Sequence, residues 1–258
     1  MPRLLVLVVL GLAACTPTAS GPQGDAEALE LVERVRERHG VSVLDNAEVT
    51  FSFRGTPFTV FRDGSTFRYA RTIVDDAGRQ LEEVVDNAGV HRFVDGTEVE
   101  LDDAEAGRLM TAVNSVAYFA LLPYSLTDPA VRVRALGPDS VGGQAYDRLE
   151  ATFVQEGGGT DWDDRYVYWL RQPDATMDYL AYSYAVTPGD TSRNETGTRF
   201  REVLNAQDVS GVRFQNYRNL TADSIGPRDL ERFGELYDAG RTWTISDIVL
   251  DSIRVRLL

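Results

Sequence analysis

The chain contains no lysine; all 26 of its basic residues are arginine. Without a primary amine on any side chain, Schiff-base and pyridoxal-phosphate chemistry, a lysine general base and Walker-type phosphate loops are excluded. Cysteine is nearly absent too: Cys15 stands alone, so no intramolecular disulfide and no thiolate cluster can form. The two histidines, His39 and His91, have no recognisable nucleophile or carboxylate partner in sequence, and there is no G-x-S-x-G elbow. A zinc site is disfavoured for the same reason. Positive charge is scarce, with 40 acidic residues setting a net charge of −14. Such a surface repels nucleic acid and anionic lipid headgroups.

The N-terminus carries the strongest signal present. Arg3 precedes an apolar run at 4–10, and Leu12-Ala13-Ala14-Cys15 closes it. The run is too short to span a bilayer and suits an export signal. Its last four residues resemble the bacterial lipobox, which implies removal of residues 1–14 and attachment of acyl chains to Cys15. Several chains at one residue anchor firmly. Thr16 stands where some bacteria place an aspartate for inner-membrane retention, so the expected location is the cell envelope, lipid-anchored at the outer membrane. Residues 16–24 (TPTASGPQG) have the composition of a flexible tether. The expected organisation is therefore a signal at 1–14, a lipidated cysteine and tether at 15–24, and one antiparallel-sheet domain at 25–258.

Hydrophobic period supplies the fold class. Asp25 opens an amphipathic helix with Leu29, Val32 and Val35 on one stripe, and Gly40 ends it. From residue 47 the period becomes two, with Val49/Phe51/Phe53, Phe58/Val60 and Phe67/Tyr69 separated by turns such as Asp63-Gly64 and Asp95-Gly96. A meander follows from this pattern. Asp102 and Glu105 form a capping-box pair at the start of a second helix, whose part at 109–122 is apolar nearly all round and so belongs in a core. Strands resume at 131–136, 145–156, 164–170, 177–186, 198–204 and 212–220. A short helix at 227–237 precedes a last strand at 242–257. There Asp247 and Asp251 share parity with Ile245, Val249, Ile253 and Val255, which predicts an irregularity or bulge. An open sheet of about ten strands must curl or be covered. The expected class is mainly β (α+β): a large, strongly curved antiparallel sheet, a half-barrel wrapped round a buried apolar helix.

That outline is similar to the LolA/LolB half-barrel of periplasmic lipoprotein carriers. The segments NSVAYFALLPY at 114–124, FVQEGGG at 153–159, YVYW at 166–169, MDYLAYSY at 177–184 and RFRE at 199–202 resemble an uncharacterised family of bacterial envelope lipoproteins, a domain of unknown function. The resemblance implies fold and location and brings no activity with it.

Three groups of residues are candidates for chemistry. Glu156, Asp161, Asp163 and Asp164 surround the glycine run at 157–159; their oxygen donors suit calcium, the one cofactor considered, although EF-hand spacing is missing. The same cluster suits a solvated hairpin loop on an acidic protein. Glu156, closing an apolar strand, is a candidate for a raised pKa or for pairing with Arg165 or Arg201, and with Asp161 or Asp164 it would suit a carboxylate hydrolase. The second group is aromatic: Tyr118, Tyr124, Tyr166, Tyr168, Trp169, Tyr179, Tyr182 and Tyr184, with Asn114 beside them. On a concave sheet these would line a site for an acyl chain, and they equally suit core packing. Arg199 and Arg201 share one strand face, suited to a carboxylate or phosphate head, or to ion pairs with Asp178 or near Glu202. No catalytic set stands out. The leading reading is a non-enzymatic, lipid-anchored module that binds a hydrophobic small molecule or lipidated client and no nucleic acid. The alternatives are an envelope-assembly interaction protein and a carboxylate- or calcium-dependent hydrolase.

Overall fold

The structure is a computed structural model that describes residues 21–154, 163–184, 197–223 and 225–258. The predicted signal, Cys15, Glu156 and Asp161 lie outside the described residues.

A two-residue strand, β1 (Gln23–Gly24), leads into α1 (Ala26–His39). Asp25 caps that helix, its carboxylate accepting the Ala28 N–H at 2.8 Å. Gly40 ends it in the left-handed region at φ 64°, where a Cβ would also fall 1.9 Å from the Gly211 carbonyl oxygen. A meander follows: β2 (Asn46–Phe53), β3 (Thr56–Asp63), β4 (Thr66–Val74), β5 (Gln80–Asp86), β6 (Gly89–Val94) and β7 (Thr97–Val99). Next comes α2 (Asp103–Ala120), whose N-terminus carries both capping-box bonds, Glu105 N–H to Asp102 at 2.7 Å and Asp102 N–H to Glu105 at 3.3 Å. The second half contains β8 (Val131–Val141), β9 (Gln144–Phe153), β10 (Tyr166–Arg171), β11 (Thr176–Tyr184), β12 (Gly197–Val209) and β13 (Val212–Thr221). It closes with α3 (Phe233–Asp238), β14 (Trp243–Ile248) and β15 (Leu250–Leu257).

The protein is mostly β with large antiparallel sheets, as the period of two requires. Hydrogen bonding divides the strands between two sheets, ordered β1-β8-β9-β10-β11-β12-β13-β14 and β15-β2-β3-β4-β5-β6-β7, all antiparallel except β1 on β8. The last strand links them: β14 borders the first sheet, β15 borders the second, and only Val249 separates the two. The predicted irregularity lies here, as a register shift between Asp251 and Arg254 with Ser252 at φ 56°. It explains the two aspartates. Before the shift Ile248 and Leu250 turn inward while Ile245, Asp247, Val249 and Asp251 face outward; after it Ile253 and Val255 take the inward side.

Helix α2 joins the two sheets. Its fully buried stripe is Leu109, Val113, Ala117 and Ala120, and most of its remaining surface from Leu109 onward is half-buried. Leu109 and Val113 pack with Val85 of the second sheet, and Ala117 and Ala120 with Phe51 and Phe58. Tyr118 and Phe119 point the other way, onto the first sheet with Tyr166, Tyr168 and Tyr182. The apolar circumference seen in sequence thus serves two cores from one helix.

Beneath the N-terminal half of α2, Glu83 of β5 is 2% exposed and is held by Arg71 of β4 at 2.6 Å and by Arg92 of β6 at 2.7 Å. Arg92 reaches on to Glu105 of α2 at 3.4 Å. Removing one partner from a buried ion network strands the others. Glu83→Ala is therefore expected to lower the unfolding free energy by about 3 kcal/mol in a denaturant titration. A loss below about 1 kcal/mol would mean that both arginines rehydrate freely.

Candidate functional site

Successive residues of a strand point to opposite faces, and this alternation splits the aromatic set in two. Tyr166, Tyr168 and Leu170 of β10 face α1 and the C-terminal half of α2, with Leu180 and Tyr182 of β11 and Tyr217 of β13. Val167 and Trp169 face the opposite side, with Phe200, Phe233, Tyr179 and Tyr237. Trp169 is wholly buried there and its indole N–H donates to Asp139 at 2.9 Å. It does not share a site with Tyr168 or Tyr182. Tyr124 stands apart as well: it packs in the core of the second sheet, donates to Asp45 at 2.9 Å and lies beneath the Arg62 guanidinium at 4.7 Å. Burial pushes its hydroxyl up to about 12. That makes Tyr124 a packing residue.

The face under α2 gathers the remainder. Tyr118 packs on Tyr166 at 5.5 Å, Phe119 on Tyr182 at 5.0 Å, and Phe153 on Tyr166 at 5.7 Å between ring centres. Tyr118, Phe119, Phe153 and Tyr184 are only partly buried, so the aromatic row runs from a closed centre to a rim. Asn114 lies one turn before Tyr118 on α2 and is half-buried. The hydroxyls of Tyr118 and Tyr168 approach to 3.5 Å. Burial raises the pKa of Tyr118, Tyr166 and Tyr168, so these rings stay neutral.

Within this neutral, aromatic surface sits Arg201 of β12, 5% exposed and the most deeply buried arginine among the described residues. Its guanidinium stacks 3.5 Å from the centre of the Phe119 ring, with Tyr182 and Tyr217 at 5.1 and 5.7 Å. One Nη2–H donates to the Tyr182 hydroxyl at 3.2 Å. Nε and Nη1 are buried and have no acceptor among the described residues. Directly across the strand pair from Arg201 is Asn219 of β13, also buried, whose Oδ1 has no donor among the described residues. Directly opposed residues share a sheet face, so the two unpaired groups are neighbours. Cation–π contact with three rings offsets part of the cost of burying the charge and leaves its in-plane N–H groups unsatisfied. Arg199, two residues before on the same face, is half-buried with its guanidinium 4.9 Å from the Tyr184 ring.

Asp178 and Glu202, considered as partners for Arg199 and Arg201, bond elsewhere. Asp178 lies 3.7 Å from Arg171 and accepts from Tyr146 at 3.2 Å. Glu202, one residue after Arg201, faces the other side of the sheet, where it accepts from Tyr237 at 2.7 Å and pairs with Arg218 at 3.6 Å. Arg165 bridges Glu150 at 2.5 Å and Glu231, binding α3's approach to the sheet. Of the acidic-loop residues described, Asp163 is exposed and Asp164 is buried. Among the described residues no three His, Cys, Asp or Glu side chains are grouped to hold a metal ion.

Phe119 and Asn219 had no signal in the sequence. Phe119 is one of several apolar residues on α2, and only the register of β12 against β13 sets Asn219 beside Arg201.

The fold and this face define a mostly β domain of two large antiparallel sheets bridged by one helix. A model for a family of unknown function, DUF6503, matches residues 51–249, and the chain belongs to that family. No curated protein matches the sequence. Among solved structures, a DUF1329 family protein from Desulfovibrio piger is similar over 88% of this chain and 92% of its own, with 11% identity and a TM-score of 0.37. A domain of a putative outer membrane lipoprotein-sorting protein from Vibrio parahaemolyticus covers 90% of this chain and 94% of its own at 8% identity and TM-score 0.38. The Mycobacterium tuberculosis lipoprotein LppX covers 61% and 89% at 11% identity and TM-score 0.26. At these scores the likeness is one of outline.

Proposed function

We propose that this is a lipid-anchored cell-envelope protein that binds an apolar small molecule or lipidated client on the face of the eight-stranded sheet beneath the C-terminal half of α2. The observation that carries this reading is the aromatic row itself, in which buried Tyr166, Tyr168 and Tyr182 continue into the partly buried rings of Tyr118, Phe119, Phe153 and Tyr184 under a half-buried helix. Rings of this kind take up acyl chains with little loss of conformational entropy. Because Tyr118 and Phe119 pack over Tyr166 and Tyr182, binding requires the last turns of α2 to move outward. The acidic surface keeps the domain off anionic lipid, and the Leu12-Ala13-Ala14-Cys15 motif supplies the membrane attachment.

Native mass spectrometry on residues 16–258, with organic extraction and with added dodecanol, tests this. A stoichiometric apolar adduct is expected, weakened by Phe119→Ala or Tyr182→Ala. Absence of any adduct, together with no dodecanol uptake, would overturn the reading.

A further inference from the structure

We infer that Arg201 and Asn219 form a head-group subsite for an anionic amphiphile, whose carboxylate or phosphate meets the guanidinium edge while its tail lies along the tyrosine row. This inference rests on the apolar-ligand reading above and specifies the chemistry of the ligand's polar end.

The argument begins with charge. A protein with 40 carboxylates has many ways to pair an arginine, and most of its half-buried arginines are paired: Arg71, Arg92, Arg148, Arg165 and Arg213 each lie within 4.0 Å of an Asp or Glu oxygen. Arg201 is more buried than any of them, yet among the described residues its contacts are a neutral phenol and three aromatic rings. Buried charges are ordinarily paired or lost, and a guanidinium does not lose its proton.

Geometry then restricts what fits. Phe119 covers a face of the guanidinium, whereas the hydrogens of Nε and Nη1 lie in its plane, where an anionic acceptor binds. Asn219 Oδ1, on the adjacent strand, adds an acceptor that suits a hydroxyl or a protonated oxygen on the same head group. Arg199 stacks on Tyr184 next along the face, which gives the entry side a second positive charge. Phe119 belongs to the last turn of α2, so the movement that admits a tail also opens the way to Arg201.

The test titrates the anchor-free protein with dodecanoate, dodecyl phosphate and dodecanol, which share one tail. At least one anion is expected to bind about ten- to a hundredfold more tightly than the alcohol. In Arg201→Met that ratio is expected to fall to about one, and the apo variant is expected to melt no lower than the wild type, because an apolar side chain replaces an unpaired buried charge. Which anion shows the preference distinguishes a carboxylate from a phosphate head. Equal affinity of the wild type for all three ligands would overturn the subsite and leave the apolar reading standing. No binding of any of them would overturn both. If Arg201→Met fails to fold, Asn219→Leu decides: a narrowed ratio supports the subsite, and an unchanged one overturns it.

Discussion

Trp169→Ala is expected to destabilise the domain by about 3–5 kcal/mol. The side chain is completely buried on the α3 side of the first sheet, edge-on to Phe200 at 5.5 Å and bonded to Asp139. Truncation opens a cavity among Val167, Phe200 and Phe233, and removes the hydrogen bond to Asp139. For a domain of this size that amounts to a fall in melting temperature of roughly 10 °C. Because Tyr168, the neighbouring residue, faces α2, the same substitution should leave the geometry of the aromatic row intact at temperatures where the variant is folded. Calorimetry together with dodecanol titration separates the two effects. A variant that melts normally but loses the ligand would reverse the face assignment.

Acidification is expected to weaken the fold through His39, beginning near pH 6.5. This residue ends α1, is fully buried, and accepts the Met177 N–H through Nε2 at 3.2 Å, so its neutral form is the one the fold requires. Desolvation first, then the nearby charges of Arg213 and Arg38, push its pKa from 6.5 down to about 3, with Asp174 opposing them. Between those values the unfolded chain holds a proton that the folded protein does not. The contribution is thus fully present above pH 6.5 and is lost as the pH falls toward 3. By pH 4 the loss is about 3 kcal/mol. His39→Gln keeps an acceptor without the titration, so its stability should fall less steeply than the wild type between pH 6.5 and 4, even if it is less stable at neutral pH. Parallel curves in chemical denaturation would show that carboxylates alone govern the acid response.

Several features were legible in the sequence because their causes are local. Asp25, Gly40 and the Asp102/Glu105 pair act within one or two helical turns, and each sits in the structure where its chemistry places it. The alternation at Val49, Phe51 and Phe53 reported a half-buried strand, and two aspartates of the wrong parity reported the bulge after Asp251. The candidate site was only partly legible. Tyr118, Tyr168, Tyr182 and Arg201 do come together, whereas Trp169 and Tyr124, of the same residue types, belong to other cores. Parity within β10 was enough to separate Trp169 from Tyr168. Nothing local could separate Tyr124 from Tyr118, because the chain turns between them and passes from one sheet to the other.

By itself, then, the sequence determined the class of structure and the classes of chemistry. A period of two, frequent turns and one apolar helix allow few architectures but a mostly β one, and the absence of lysine and of a second cysteine closes the mechanisms that need an amine or paired thiols. Only the tertiary structure decided which charges are paired. A register of β12 against β13 sets Arg201 beside Asn219, and the rotation of α2 brings Phe119 over the guanidinium while Ala117 and Ala120 serve the other sheet. Register and rotation arise from packing that is spread over the whole chain. The position of a buried charge relative to its neighbours therefore cannot be read from any one segment.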